Sequence, residues 1–301
     1  MKRKFAFSFL FTSLGFMAIA AGPTNPVSLE LRTIPGAKTT LIISENTNTS
    51  MSMMGQDMNM TSASGSEYLL VAKKDSAGLK SFVAILKTAQ KSMDQMGMKI
   101  EINTADPKAD TTSEPNGSLT KFYKHLTGNP YTIYLNNTGK VATSSGAKEI
   151  YNNAASKLDL TGPMAALKSM ASESLLTADF DKAFSFNPGK SLQVGDKWER
   201  TDTVNSNGLP MHFVTKYSLD KVDGNIATVK SSSNISFEGD MEAMPGASAK
   251  MMGTSVGSLK VDTNTGILIS SSADVDMEIK LNANGMDIPM KVSTKATITS
   301  K

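Results

Sequence analysis

Apolar and polar residues alternate along most of this chain with the period of two that sends successive side chains to opposite faces of a β-strand. The pattern is clearest at the C-terminus, where Asn284-Gly285 supplies the preferred loop of a two-residue hairpin. The register it sets pairs Leu281 with Ile288, Ile279 with Met290 and Met277 with Val292 on one face, and Glu278 with Lys291 and Asp274 with Lys295 on the other. One register satisfies both faces. Strands are likewise predicted at 197–206, 209–221 and 226–238, with Asn207-Gly208 and Asp223-Gly224 as turns.

The N-terminal part repeats the theme with methionine. A strand beginning at Thr39-Thr40-Leu41-Ile42-Ile43-Ser44 runs to Met54, and a second, carrying Tyr68, Leu69 and Val71, ends near Lys74. Placing Gly55-Gln56 in the turn, with glycine at the positive-φ first position of a type II′ loop, makes Met51 face Met60 and Met53 face Met58. Directly opposed residues share a face. Met51, Met53, Met58 and Met60 therefore form one patch of four thioethers, with Ser52 and Asn59 on the other side.

Residues 82–96 carry two patterns. Leu79, Phe82, Val83, Leu86, Met93 and Met96 partly match helical spacing. An internal comparison favours strand: Asn137-Thr138-Gly139 after Tyr131-Thr132-Ile133-Tyr134 parallels Asn264-Thr265-Gly266 after Ser258-Leu259-Lys260-Val261, which aligns residues 82–92 with the strand at Ile226-Ala227-Thr228-Val229. A strand at 82–92 is predicted, with a hairpin near Gln95-Met96-Gly97 returning through 98–102. A short helix is expected at 119–126, and Gly146 to Ser185 has helical character in three pieces, 147–158, 163–172 and 173–184, with Pro163 suited to a first turn. Residues 240–254 read as a Gly- and Met-bearing loop.

The predicted fold is mainly β: a strongly curved antiparallel sheet or open half-barrel made of two related halves, 21–145 and 186–301, with the 146–185 helices packed in its concavity. Residues 1–20 are set apart. Lys2-Arg3-Lys4, the apolar stretch 5–19 and Ala18-Ile19-Ala20 before Gly22-Pro23 read as a cleaved signal peptide, too short to span a bilayer, which needs about 20 apolar residues. An exported chain, periplasmic or extracellular and soluble after cleavage, is expected, with no membrane anchor in the mature part.

Composition narrows the chemistry. The chain has no cysteine, so thiol catalysis, cysteine metal sites and disulfides are excluded. Its net charge of +3 resides in the first four residues: the 31 basic residues less those three equal the 28 acidic ones. Only Arg32 and Arg200 remain as arginines, and scattered lysines argue against nucleic acid as a partner. His125 and His212 fall in different halves and are read as structural or surface residues; Trp198 reads as a core or cap residue rather than a ligand platform; no Gly-x-Ser-x-Gly elbow is present. No catalytic residue and no cofactor is assigned, and the chain is read as a non-enzyme.

What stands out is methionine, 20 residues of it. The patch at Met51, Met53, Met58 and Met60 admits three uses: core packing by flexible side chains, an adaptable surface for an apolar ligand such as a lipid or for a hydrophobic client, or soft thioether coordination of Cu(I). The expectation is a non-enzymatic periplasmic binding protein for an apolar ligand or hydrophobic client. A structural or interaction module without a small ligand, and Cu(I) binding, are the alternatives.

The signal, Met53-Met54-Gly55-Gln56-Asp57-Met58, Ser92-Met93-Asp94-Gln95-Met96-Gly97, the helical middle, Phe184-Ser185-Phe186-Asn187-Pro188 leading to Val194-Gly195-Asp196-Lys197-Trp198, and the terminal hairpin together resemble an uncharacterised Met-rich family of exported Bacteroidota proteins, a domain of unknown function. The resemblance implies a β-rich protein with a helical centre in the envelope and carries no activity; some members have a lipobox cysteine, which is absent here. It also implies that Asp75-Ser76-Ala77, Asp110-Thr111-Thr112 and Asp202-Thr203-Val204 match an Asp-Ser/Thr-apolar O-glycosylation acceptor.

Overall fold

The computed structural model describes residues 25–53, 56–95, 98–109, 111–113, 116–156, 158, 173–206, 209–240, 247–283 and 286–301. The signal-like 1–20, the helix expected at 163–172 and Asp110 of one acceptor motif lie outside the described residues.

Long alternating runs become long strands. The order is β1 (Val27–Ser28), β2 (Lys38–Met53), β3 (Gln56–Ala72), β4 (Lys80–Gln95), β5 (Met98–Asn103), α1 (Asn116–Leu126), β6 (Pro130–Leu135), β7 (Val141–Ser145) and α2 (Ala147–Ala155). After a 3-10 turn at Glu173–Leu176 come α3 (Ala178–Phe184), β8 (Ser191–Leu192), β9 (Lys197–Ser206), β10 (Leu209–Asp223), β11 (Ile226–Asp240), β12 (Ala247–Asp262), β13 (Leu268–Ala283) and β14 (Met286–Ser300). Twelve strands form one antiparallel sheet in the order β7-β6-β4-β3-β2-β14-β13-β12-β11-β10-β9, with β5 beside β4, while β1 and β8 pair separately. Strands of 15 to 17 residues are about 50 Å long. The β2–β3, β4–β5, β9–β10 and β13–β14 pairs come together at one end of the sheet, called distal below; the turns after β3, β10 and β12 lie at the other, the base.

The base carries the core. Leu41, Ile43, Tyr68, Leu70, Leu219, Val229 and Val261 from the sheet are buried together with Phe122 and Leu126 of α1, Ala154 of α2 and Phe180 and Phe184 of α3. Phe180 is fully enclosed, its ring 5.0 Å from that of Tyr68 in an edge-on contact and 6.5 Å from that of Tyr131. Trp198 stacks on Tyr217 and donates its indole N–H to the Phe186 carbonyl, which makes it a core residue as read from the sequence.

β7 and β9, the outermost strands, do not pair with each other, so the sheet is not closed by strand pairing. Side chains nevertheless span from one end of the strand order to the other at the base. Lys140 Nζ lies 3.1 Å from Asp202 Oδ1, and Arg200 donates to the Thr138 carbonyl at 3.1 Å. Asn187 donates to the Asn137 carbonyl, and Val141 donates its N–H to Asp181 of α3. Gly139 sits in the turn that makes this clasp, with φ +81° and the Phe184 carbonyl against its Cα, where any side chain would collide.

The terminal hairpin has the register read from its sequence, Ile279 with Met290 included, and the 82–92 strand forms part of β4, returning through β5. Three expectations are corrected. The first hairpin pairs Met53 with Gln56, so its two loop residues are Met54 and Gly55, not Gly55 and Gln56; Met51 faces Met58, and Met60 faces Thr49. Each residue's partner moves by two positions, an even shift that keeps all four methionines on one face. Second, residues 247–254 belong to β12 rather than to a loop, because Ala249 and Met251 bury against Phe237 of β11. Third, the helix expected over 173–184 is broken at Thr177 into a 3-10 turn and α3.

Candidate functional site

Cross-strand register assembles the helix-facing side of the sheet into rows running perpendicular to the strands. At the base, Ile43, Ile298, Leu259, Val229 and Leu219 lie in one row broken only by Ser271. Two residues further along each strand the row is small and polar: Ser64, Glu45, Ala296, Ala273, Gly257 and Ser231. The next is mostly hydroxyls: Ser62, Thr47, Thr294, Val275, Ser255, Ser233 and Thr215. Within it Thr47 and Thr294 share a hydrogen bond of 2.9 Å, and Thr215 and Ser233 one of 2.8 Å. Beyond this belt the face turns apolar again. Met60, Thr49, Val292, Met277, Gly253 and Ile235 form one row, and Met58, Met51, Met290, Ile279, Met251 and Phe237 form the next.

Met51, Met58 and Met60 of the sequence-derived patch thus share one face, half-buried. Met53 occupies the same face by register. Local patterning missed Met290, Met251 and Met277, because the pairing of β14 with β2 that sets Met290 opposite Met51 joins residues about 240 positions apart in the chain. Phe237, Ala249 and Met251 make a small distal cluster with Met211, Ile279 and Leu281 around them.

A cavity of about 400 Å³ lies directly below Met60, between β2–β5 and α1. Its hydrocarbon wall is Met93, Ile100, Ile102, Leu119, Phe122, Leu158 and Leu175, and its polar wall is Glu45, Thr47, Ser62, Ser64 and Lys91. α1 supplies Leu119, Phe122 and Tyr123 from one side of an amphipathic helix. Lys91, on the cavity side of β4, holds its ammonium 5.5 Å over the Tyr123 ring. A larger open groove of about 1050 Å³ follows the Met60 to Ile235 row across six strands and takes three residues from each; of the four predicted methionines it includes Met60. A third, polar recess of about 780 Å³ lies among β2–β5 and residues 106–109, with Asn116 beside them.

α3 anchors the polar wall. Lys182 Nζ is 2.7 Å from Glu45 and 3.6 Å from Asp179; partial burial opposes its charge, but the two carboxylates outweigh that and raise its pKa. Asp179 also accepts from the Tyr68 hydroxyl at 3.1 Å. Burial first and Asp179 second push the pKa values of Tyr68 and Tyr131 upward, which keeps both phenols neutral donors; the Tyr131 hydroxyl donates a hydrogen bond to the Leu176 carbonyl. Asp181 is raised chiefly by burial, against the pull of the Val141 N–H and Lys140.

The remaining candidates stay apart from this site. His125 bonds the Lys121 carbonyl one helical turn back, and His212 pairs with the Thr203 hydroxyl. Ser76 lies in a base turn and Thr203 on the outer part of β9. Asp75 is tied to Lys80 and to the Thr33 hydroxyl, and Lys80 leads in holding its carboxyl below the usual range. Among the described residues no group of three His, Cys, Asp or Glu could hold a metal ion, and no helix is long and apolar enough to cross a membrane.

Residues 84–268 match DUF6263, a family of unknown function. No curated protein matches the sequence. Among solved structures, the chain is similar to lipovitellin, described in a study of lipid-protein interactions, at 8% identity and TM-score 0.49 over 90% of this chain and 25% of that one, so it spans a quarter of lipovitellin's length. It is also similar to DynF of the dynemicin pathway of Micromonospora chersina, at 7% identity and TM-score 0.24 over 98% and 92% of the two chains. An outer membrane channel from Pseudomonas putida F1 follows at 10% identity and TM-score 0.23 over 90% and 97%. Scores below 0.5 carry no functional argument.

Proposed function

The chain belongs to the DUF6263 family of unknown function, and from that premise we propose that it is a non-enzymatic binding protein for an apolar ligand, a lipid or the hydrophobic segment of a client, working outside the cytoplasm after removal of residues 1–20. The observation that carries the reading is the 400 Å³ cavity beneath the methionine rows. Its size lies within the roughly 300–1,000 Å³ of small-molecule pockets, and its mixture of an apolar wall with a few polar groups is their usual composition. Thioethers above it can re-pack around ligands of different shape. The clasp of Lys140 and Arg200 onto the opposite end of the strand order supports an open half-barrel, drawn together at the base by polar contacts and open distally. Bacteroidota lineage, export and the O-glycosylation motifs remain part of this proposal.

The test is native mass spectrometry of the protein purified gently from its own envelope, with organic extraction of whatever co-purifies. A bound lipid displaced by Ser62→Phe, which fills the cavity from its polar wall, is the expected result. Bare protein that takes up no added lipid would move the reading to a structural or interaction module. A second reading, Cu(I) coordination, gains one specific observation: Met58, Met51 and Met290 face one another on three adjacent strands, a thioether set suited to a soft ion. A copper assay on the same preparation tests it.

A further inference from the structure

The cavity's two walls differ, and the difference specifies a head group. On the hydrocarbon side, Met93, Ile100, Leu119, Phe122 and Leu158 offer nothing but apolar atoms and a soft sulfur to a ligand. On the other, two of the nearby charges already cancel, since Glu45 is ion-paired to Lys182 at 2.7 Å. Lys91 is different. It forms no ion pair among the described residues, and its one charge-related contact is the face of Tyr123, which attracts a cation weakly and leaves its N–H donors free. Ser64 lies directly across from Lys91 on β3, and Ser62 opposite Met93, so hydroxyl donors flank the cation along the same wall.

We infer that the cavity takes a long-chain amphiphile with a carboxylate head, the chain lying against α1 and β5 and the carboxylate paired with Lys91. This rests on the binding reading above and narrows it. A single flexible ammonium with neighbouring hydroxyls cancels the charge of a monoanion; a phosphate head, carrying more than one negative charge, would call for a second unpaired cation. Neither arginine fits that role here: Arg200 is committed to Thr138 and Asp202, and Arg32 is not in the cavity lining.

The experiment compares palmitate with hexadecanol, equal in chain length and different in head group, by equilibrium binding to the full chain and to Lys91→Met and Lys91→Arg. Wild type is expected to bind palmitate about tenfold more tightly than hexadecanol, the scale of one charge-assisted hydrogen bond. Lys91→Met, which keeps the apolar stem, should erase that preference, and Lys91→Arg should restore it. Equal binding of the two ligands by wild type would overturn the carboxylate and leave apolar binding standing. Binding of neither would overturn the binding reading itself. Both decisive comparisons use wild type, so neither depends on a variant folding.

Discussion

Two ends of one sheet face obey the same alternation and end in different physical states. At the base, Leu41, Tyr68, Leu70, Val229 and Leu219 are at most 1% exposed, in one core with Phe122 and Leu126 of α1, Ala154 of α2 and Phe180 and Phe184 of α3. At the distal end, beyond the belt of serines and threonines, the same positions of the pleat carry Met51, Met58, Met60, Met277 and Met290, all half-buried. Periodicity therefore reports which face a residue joins and says nothing of what covers it. Residue type adds the missing part. Leu, Val and aromatic side chains dominate the closely packed base, while most of the half-buried distal positions hold unbranched thioethers; Phe237 and Met251, buried together, are the distal exception.

The sharpest way to break the contrast is to truncate one residue in each region. Phe180→Ala removes a fully buried ring from between Tyr68 and Tyr131 and should cost about 3–5 kcal/mol, whereas Met51→Ala, already half solvated, should cost less than about 2 kcal/mol. Urea denaturation of both variants gives the comparison; equal losses would mean that the distal face is as tightly packed as the core. Next in size is the clasp. Gly139→Ala demands a positive φ of a β-carbon and drives it into the Phe184 carbonyl, for a loss of about 1–3 kcal/mol. A midpoint unchanged by that substitution would show that the Lys140 and Arg200 contacts do not hold the base together.

The legibility of this chain follows the same division. Local signals gave the terminal hairpin in full, since Asn284-Gly285, an apolar face and matched Glu278–Lys291 charges all demand one register. They placed the Met54-Gly55 loop one residue late, because a single glycine between two methionine runs fits either loop position and the parity of the face is the same for both. The candidate site was legible only in part. Met60 was visible in sequence, while Lys91, Ser62 and Ser64 look like ordinary strand residues until α1 is laid across β5 to make a wall opposite them. Met290 needs the β14–β2 pairing. Helix 173–184 was drawn too long because helix propensity says little about a Thr177 break that lets Tyr131 reach the Leu176 carbonyl.

Asp181 sharpens the contrast through pH. Burial raises its folded-state pKa above the unfolded value of about 3.9, so the folded state holds this proton more readily than the unfolded chain does. Any stability gained from it is complete below about pH 3.9 and is lost as pH rises through the folded pKa. Asp181→Asn keeps an oxygen to accept the Val141 N–H and removes the charge. It should raise the melting temperature at pH 7 and leave it unchanged near pH 3. A variant that melts lower at pH 7 would show that attraction to Lys140 and Arg200 outweighs burial there. The distal end, with no such buried carboxylate among its apolar rows, should show no counterpart.

The smallest expected effect is the most discriminating between the two regions. Met51→Leu and Leu70→Met exchange the same two residue types in opposite directions, and volume-conserving swaps of this kind usually cost less than about 1.5 kcal/mol. At the base, Leu70 is fully enclosed, so a longer side chain there must displace fixed neighbours, and the loss should approach that limit. At Met51, half-buried and facing Met58 and Met290, branching should be absorbed with almost no change in the urea midpoint. The cost would fall on binding instead. A distal surface stiffened by Leu at 51, 58 and 290 should keep its stability and lose its tolerance for differently shaped apolar ligands, because adaptability depends on the rotamer freedom of the thioethers and stability does not. Loss of stability without loss of ligand range would instead make the methionines ordinary core.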